Sequence, residues 1–117
     1  MAKFECSLKG DFDAVLRIIE HGLSNVDNSI SYDDGSDFQT GQFRCAVRVF
    51  EKFNSYRNGV VNMNIMLAGE GDNLFLSAIT SGGSEILLFQ GSFESRENKL
   101  IDRLKKILEE YEKVPRQ

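Results

Sequence analysis

The chain has 117 residues, 41% of them hydrophobic and 27% charged, the profile of one ordinary soluble domain (residues 1–117) large enough to stand without metal or disulfide staples. A net charge of -4 and a pI near 5.0 exclude a general affinity for nucleic acid or anionic membranes, which rests on excess Lys and Arg. No run approaches the roughly 18 apolar residues of a membrane span. Met1-Ala2-Lys3 leads into an alternating segment and not into the apolar core of a signal peptide, so the expected location is the cytoplasm.

Phe4, Cys6 and Leu8 alternate with Lys3, Glu5 and Ser7, a period of two that predicts a half-buried strand. Asp11 then suits a helix N-cap, and Phe12, Val15, Leu16, Ile19 and Leu23 follow at helical spacing, with Gly22 as a left-handed C-cap. Ile30 and Tyr32 open a short polar strand that meets the turn cluster Asp33-Asp34-Gly35-Ser36. In the longest regular strand Phe43, Cys45, Val47 and Val49 alternate with Arg44, Ala46, Arg48 and Phe50, and it closes near Phe53 before a loop over residues 54–59. Val61, Met63, Ile65 and Leu67 alternate with Val60, Asn62, Asn64 and Met66 up to the turn Gly69-Glu70-Gly71-Asp72-Asn73.

Residues 74–79 and 86–89 form two strongly apolar segments joined by the polar hinge Thr80-Ser81-Gly82-Gly83-Ser84, and each carries apolar side chains on both faces if extended. Leu100, Ile101, Leu104, Ile107, Leu108, Tyr111 and Val114 then recur at steps of three and four, the stripe of an amphipathic helix with Ser95 as its N-cap, Glu97 in its first turn and Pro115 beyond its end. Such a helix of about twenty residues, about 30 Å long, would cross five or six strands. The expected fold is α+β: an antiparallel sheet of about six strands in the order β-α-β-β-β-β-β-α, with both helices on one face.

Chemistry is sparse in this pattern. His21, the one histidine, sits near the C-terminus of the first helix, where the dipole favours its protonated form, and no spacing selects a nucleophile or acid to join it. Ser81-Gly82-Gly83-Ser84 and Gly69-Glu70-Gly71 lie between strands and do not open a helix, so they read as hairpin turns and not as phosphate cradles. Asp27, Asp33, Asp34 and Asp37 lack the spacing of a calcium loop, and Glu70 and Asp72 read as turn carboxylates. Cys6 and Cys45, with no CxxC pair, read as two buried thiols. Arg44, Arg48 and Lys52 share one strand face and, with Asn62 and Asn64, are expected on the solvated side of the sheet, partnered by residues such as Glu5 or Asp37. The row lacks the stacking aromatics of a nucleic-acid reader. No catalytic residue, metal ligand or cofactor is expected.

What remains is apolarity on two faces. If the helices cover one face, the apolar strip of the last strands is an interaction surface, with Phe75, Ile79, Leu87 and Phe89 as its candidate residues and Ser81, Gly82 and Gly83 at its hinge. The expected function is a non-enzymatic cytoplasmic interaction domain that forms a homodimer or binds a protein partner, with no nucleic acid and no membrane involved. The alternative is a small apolar ligand held between the C-terminal helix and the sheet, in a pocket lined by Phe75, Ile79, Leu104 and Leu108.

Three stretches together, Gly10-Asp11-Phe12-Asp13, Arg44-Cys45-Ala46-Val47-Arg48-Val49-Phe50-Glu51 and Ala78-Ile79-Thr80-Ser81-Gly82-Gly83-Ser84, resemble an uncharacterised bacterial family of small domains of unknown function, over residues 4–111. The resemblance implies no activity, cofactor or site. The order of elements also looks like a reduced helix-grip fold, in which a long C-terminal helix lies across a curved sheet over an apolar cavity, although the second short helix usual there is missing.

Overall fold

The computed structural model describes residues 2–25, 29–54, 59–82 and 90–113. Along the chain it shows β1 (Ala2–Lys9), α1 (Phe12–Ser24), β2 (Ile30–Thr40), β3 (Phe43–Asn54), β4 (Gly59–Glu70), β5 (Asn73–Gly82) and α2 (Gln90–Lys113). The described sheet therefore has five strands where six are expected, and the expected sixth, residues 86–89, lies outside the described residues. The strands form one antiparallel sheet in the order β1-β5-β4-β3-β2. Strands β2 to β5 follow one another as hairpin neighbours, and α1 carries the chain from one edge of the sheet to the other.

Local chemistry explains most element ends. The Asp11 carboxylate accepts a hydrogen bond from the Ala14 N–H at 2.9 Å, the N-cap expected of it. Gly22 is not a C-cap: α1 continues through it to Ser24, and Asn25, in right-handed helical conformation, closes the helix by donating its N–H to the His21 carbonyl. Gly22 instead marks the place where α2 crosses α1. Helix α2 likewise begins at Gln90, so Ser95 falls inside it and is not its N-cap.

The cluster Asp33-Asp34-Gly35-Ser36 is strand and not turn. Tyr32 pairs with Phe50 and Asp34 with Val49, which leaves Asp33 as the extra residue of a β-bulge. The chain reverses later, at Gly41-Gln42, where Gly41 takes a φ of +58°, and again at Gly71-Asp72, where Gly71 takes +63°. Thr80, Ser81 and Gly82, expected in a hinge, are the last residues of β5.

Both helices pack on one face of the sheet, as expected. Val15, Leu16, Ile19 and Leu23 of α1 and Leu100, Ile101, Leu104 and Leu108 of α2 share one core with Val61, Met63, Ile65 and Leu67 of β4 and with Leu74, Leu76 and Ala78 of β5. The strict alternation of β4 and β5 follows from this arrangement, since every second side chain is sealed beneath a helix.

Candidate functional site

Because side chains alternate along a strand, the pairing register fixes which residues share each face. The face beneath the helices carries Phe50, Met63, Ala78 and Phe4 across neighbouring strands. On the opposite face three cross-strand rows run from β2 to β1: Phe38, Cys45, Ala68, Phe75 and Ser7; Ser36, Val47, Met66, Ser77 and Glu5; Asp34, Val49, Asn64, Ile79 and Lys3. Among the described residues no helix covers this second face. Phe38 is 61% exposed, Phe53 48%, and Phe43, Phe75 and Ile79 each 38%, which are large values for such side chains. Val47, Val49, Cys45 and Met66 lie half-buried between them. Phe75 and Ile79 thus stand on a bare apolar face, and that face extends beyond the last strands to β2.

The extension arises because β3 sits in the phase opposite to the expected one. Ala46 and Phe50 enter the core, so Phe43, Cys45, Val47 and Val49 point away from the helices. Arg44, Arg48 and Lys52 then point toward the helices and not to a solvated sheet face. Arg44 grips Asp13 of α1 with both terminal nitrogens, at 3.0 and 2.9 Å, while its guanidinium lies 4.2 Å from the Phe12 ring centroid. Arg48 donates from Nε to Glu20 at 2.7 Å and from Nη2 to Asp37 at 2.9 Å. Lys52 donates to the Ser29 hydroxyl. Of the two acids expected beside the row, Asp37 is a partner, whereas Glu5 lies on the other face and accepts from the Ser77 hydroxyl at 3.0 Å.

The electrostatics match this geometry. The hydrogen bond from Arg44 holds the Asp13 carboxyl below the usual carboxylate range, and the same bond raises Arg44. At Arg48 burial works against the cation, but hydrogen bonds to Glu20 and Asp37 outweigh it and the group titrates higher than usual. The row is a salt-linked seam between β3 and α1, its charges directed at one another and not at a phosphate. Sequence reasoning missed both the seam and Phe38, Phe43 and Phe53. The available signal was the pair Asp13 and Glu20, about 10 Å apart along α1, opposite Arg44 and Arg48, about 13 Å apart along β3.

The remaining candidates separate. Ser81 is half-buried and Gly82 exposed at the end of β5, while Leu87, Phe89 and Gly83 lie outside the described residues, as does Asp27. Phe75 and Ile79 do not meet Leu104 and Leu108, which are buried on the opposite side of the sheet, so these four line no common pocket. The C-terminal helix does leave an open groove of about 450 Å³ beside β1, lined by Phe4, Cys6, Leu8 and Leu108, with Lys105, Glu109 and Glu112 along its rim. Cys6 faces this groove and Cys45 the bare face; both are free and half-buried, and burial, then Glu112, pushes the Cys6 thiol up. His21 lies in the last turn of α1. Among the described residues no group of three or more His, Cys, Asp or Glu side chains is placed to hold a metal ion.

Residues 1–112 match the family of unknown function DUF6054. The chain belongs to that family. The DUF6054 match spans all three stretches on which the resemblance rests, and the family's description names no activity. No curated protein matches this DUF6054 chain. Among solved structures, that of TTHA0849 from Thermus thermophilus is similar over 93% of this chain and 94% of its own, at 15% identity and a TM-score of 0.33.

Proposed function

We propose that this protein is a non-enzymatic cytoplasmic interaction domain that associates with a second copy of itself through the helix-free face of its sheet. The observation that carries the reading is the contiguous apolar surface formed by Phe38, Cys45, Val47, Val49, Met66, Phe75 and Ile79. Monomeric proteins rarely leave such a patch larger than a few hundred Å². Five strands at about 4.8 Å spacing and ten residues at about 3.3 Å give a face of about 800 Å², which is the area each partner buries in a standard interface. Two such faces stack about 10 Å apart as a β-sandwich, with side chains from each filling the gap between them.

Sedimentation velocity and light scattering test this reading. The wild-type chain should run as a dimer at micromolar concentration. The double variant Val47→Asp/Phe75→Asp should run as a monomer with an unchanged far-ultraviolet circular dichroism spectrum. A wild type that stays monomeric up to several hundred micromolar would overturn it.

One observation favours a second reading, in which a small apolar ligand is held between the C-terminal helix and the sheet. The groove between β1 and α2 has an apolar floor, and on its rim, beside Glu109 and Glu112, Lys105 holds its Nζ 5.1 Å from the Phe4 ring centroid. That arrangement suits an elongated apolar molecule. Native mass spectrometry of the purified chain tests it: a bound small-molecule mass lost in Leu8→Asp supports it, and a bare polypeptide mass speaks against it.

A further inference from the structure

Resting on the self-association reading, we propose that the two copies pack with their sheets flipped side to side, so that β1 of each lies over β2 of the other and Lys3 meets the second copy's Asp34. The argument is one of charge. Among the described residues, the cations of the bare face are Lys3 and Lys9, both on β1, whereas Asp34 lies on β2 at the far edge of the sheet. Lys3 and Asp34 are both exposed and belong to the same cross-strand row. Glu5 on β1, Glu51 on β3 and Glu70 on β4 also stand on this face, so its cations are confined to the β1 edge while the rest of it, Asp34 at the far edge included, is negative.

Stacked sheets keep their strands within about 30° of alignment, and two-fold symmetry then offers two arrangements. An axis across the strands lays each strand on its own copy: about the central row, Glu5 faces the second copy's Glu5 and Asp34 faces the aromatic ring of Phe38. An axis along β4 exchanges the edges and keeps each row in place. Lys3 then faces Asp34, Phe75 faces Cys45, and Met66 meets itself on the axis. The second arrangement pairs Lys3 with Asp34 at both rims of one dimer, although it also sets Glu70 over its own copy at the end of β4; the first sets Glu5 over Glu5 and pairs no opposite charges. At the edge strands, two strands from the axis, a 30° rotation displaces opposing residues by roughly 6 Å, within the reach of a lysine side chain.

Charge reversal on the full chain, read by sedimentation velocity at low ionic strength, tests the register. Lys3→Glu and Asp34→Lys should each weaken the dimer about tenfold. The double variant should return to within about threefold of the wild type. A wild-type dimer in which the double variant is as weak as the product of the single effects overturns the register and leaves self-association standing. A monomeric wild type overturns both. If Asp34→Lys disturbs the bulge, Phe75→Cys in a Cys6→Ser background is the second probe: under a mild thiol oxidant a covalent dimer through Cys45 should form. Failure to form it, in a chain that still dimerises, overturns the register.

Discussion

Gly22 of α1 lies beneath Ile107 of α2 with no room for a side chain, since a Cβ built on it would stand 2.6 Å from Ile107 Cδ1 and 2.9 Å from Cγ1. In an unencumbered helix, replacing Gly by Ala adds about 1 kcal/mol of helix propensity. Here Cγ1 is too near the Ile107 backbone to swing fully aside, and crowding of this kind costs about 1–3 kcal/mol. Gly22→Ala is therefore expected to lower the urea midpoint, and the same change in an Ile107→Ala background should be neutral or stabilising. Equal effects in the two backgrounds would show that the helices do not meet at this point.

Arg48 anchors β3 to two elements at once, to Glu20 of α1 and to Asp37 of β2, and its side chain is only 11% exposed. Arg48→Met leaves Glu20 without this partner beside the core, a loss of about 1–3 kcal/mol for hydrogen bonds to a charged group. Arg48→Lys should recover little of it, because one ammonium cannot serve both acids with the geometry of a guanidinium fork. The Arg44–Asp13 pair is far more exposed, so Arg44→Met is expected to cost less. Urea titrations that rank Arg44→Met at or above Arg48→Met would reverse this assignment.

The Arg44–Asp13 pair shows itself in acid. The folded carboxyl of Asp13 titrates below its unfolded range because of the Arg44 hydrogen bond, so the folded state binds its proton more weakly. Its stabilising contribution is present above about pH 4, the unfolded value, and is lost as pH falls through the lower folded value. Thermal melts should show a gap between wild type and Asp13→Asn at neutral pH that closes below about pH 4. A gap that persists to the lowest accessible pH would mean the pair is not formed.

What the sequence makes legible depends on how unequal the two phases of a strand are. In β4 the core phase is Val61, Met63, Ile65 and Leu67 against Asn62 and Asn64, and the assignment is unambiguous. In β3 the apolar count points to the wrong phase. Phe43, Cys45, Val47 and Val49 outnumber Ala46 and Phe50, yet the latter enter the core because α1 brings Asp13 and Glu20 to the arginines between them. Strand β2 conceals its register for another reason: the extra residue at Asp33 reverses the alternation midway, so neither phase stays constant. In both strands the deciding partners lie in α1 or β3 and not in the strand's own pattern. The apolar face is thus legible in the sequence at Phe75 and Ile79 and hidden at Phe38 and Phe43.

Thr80 is fully buried in β5, where its hydroxyl accepts from the Ala2 N–H at 3.2 Å and lies 3.4 Å from the Ala2 carbonyl, to which it donates. The side chain thereby adds hydrogen bonds to the Ala2–Thr80 pair at the start of β1, next to the core. Thr80→Val keeps the shape and removes both bonds, at a cost of about 1 kcal/mol. Thr80→Ser keeps the hydroxyl and should retain most of that term, losing mainly the packing of one methyl group. Amide exchange separates the two losses. Thr80→Val should speed exchange at Ala2 and Lys3 relative to the rest of β1, and Thr80→Ser should not. Uniform acceleration across the sheet in both variants would instead assign the whole effect to core packing.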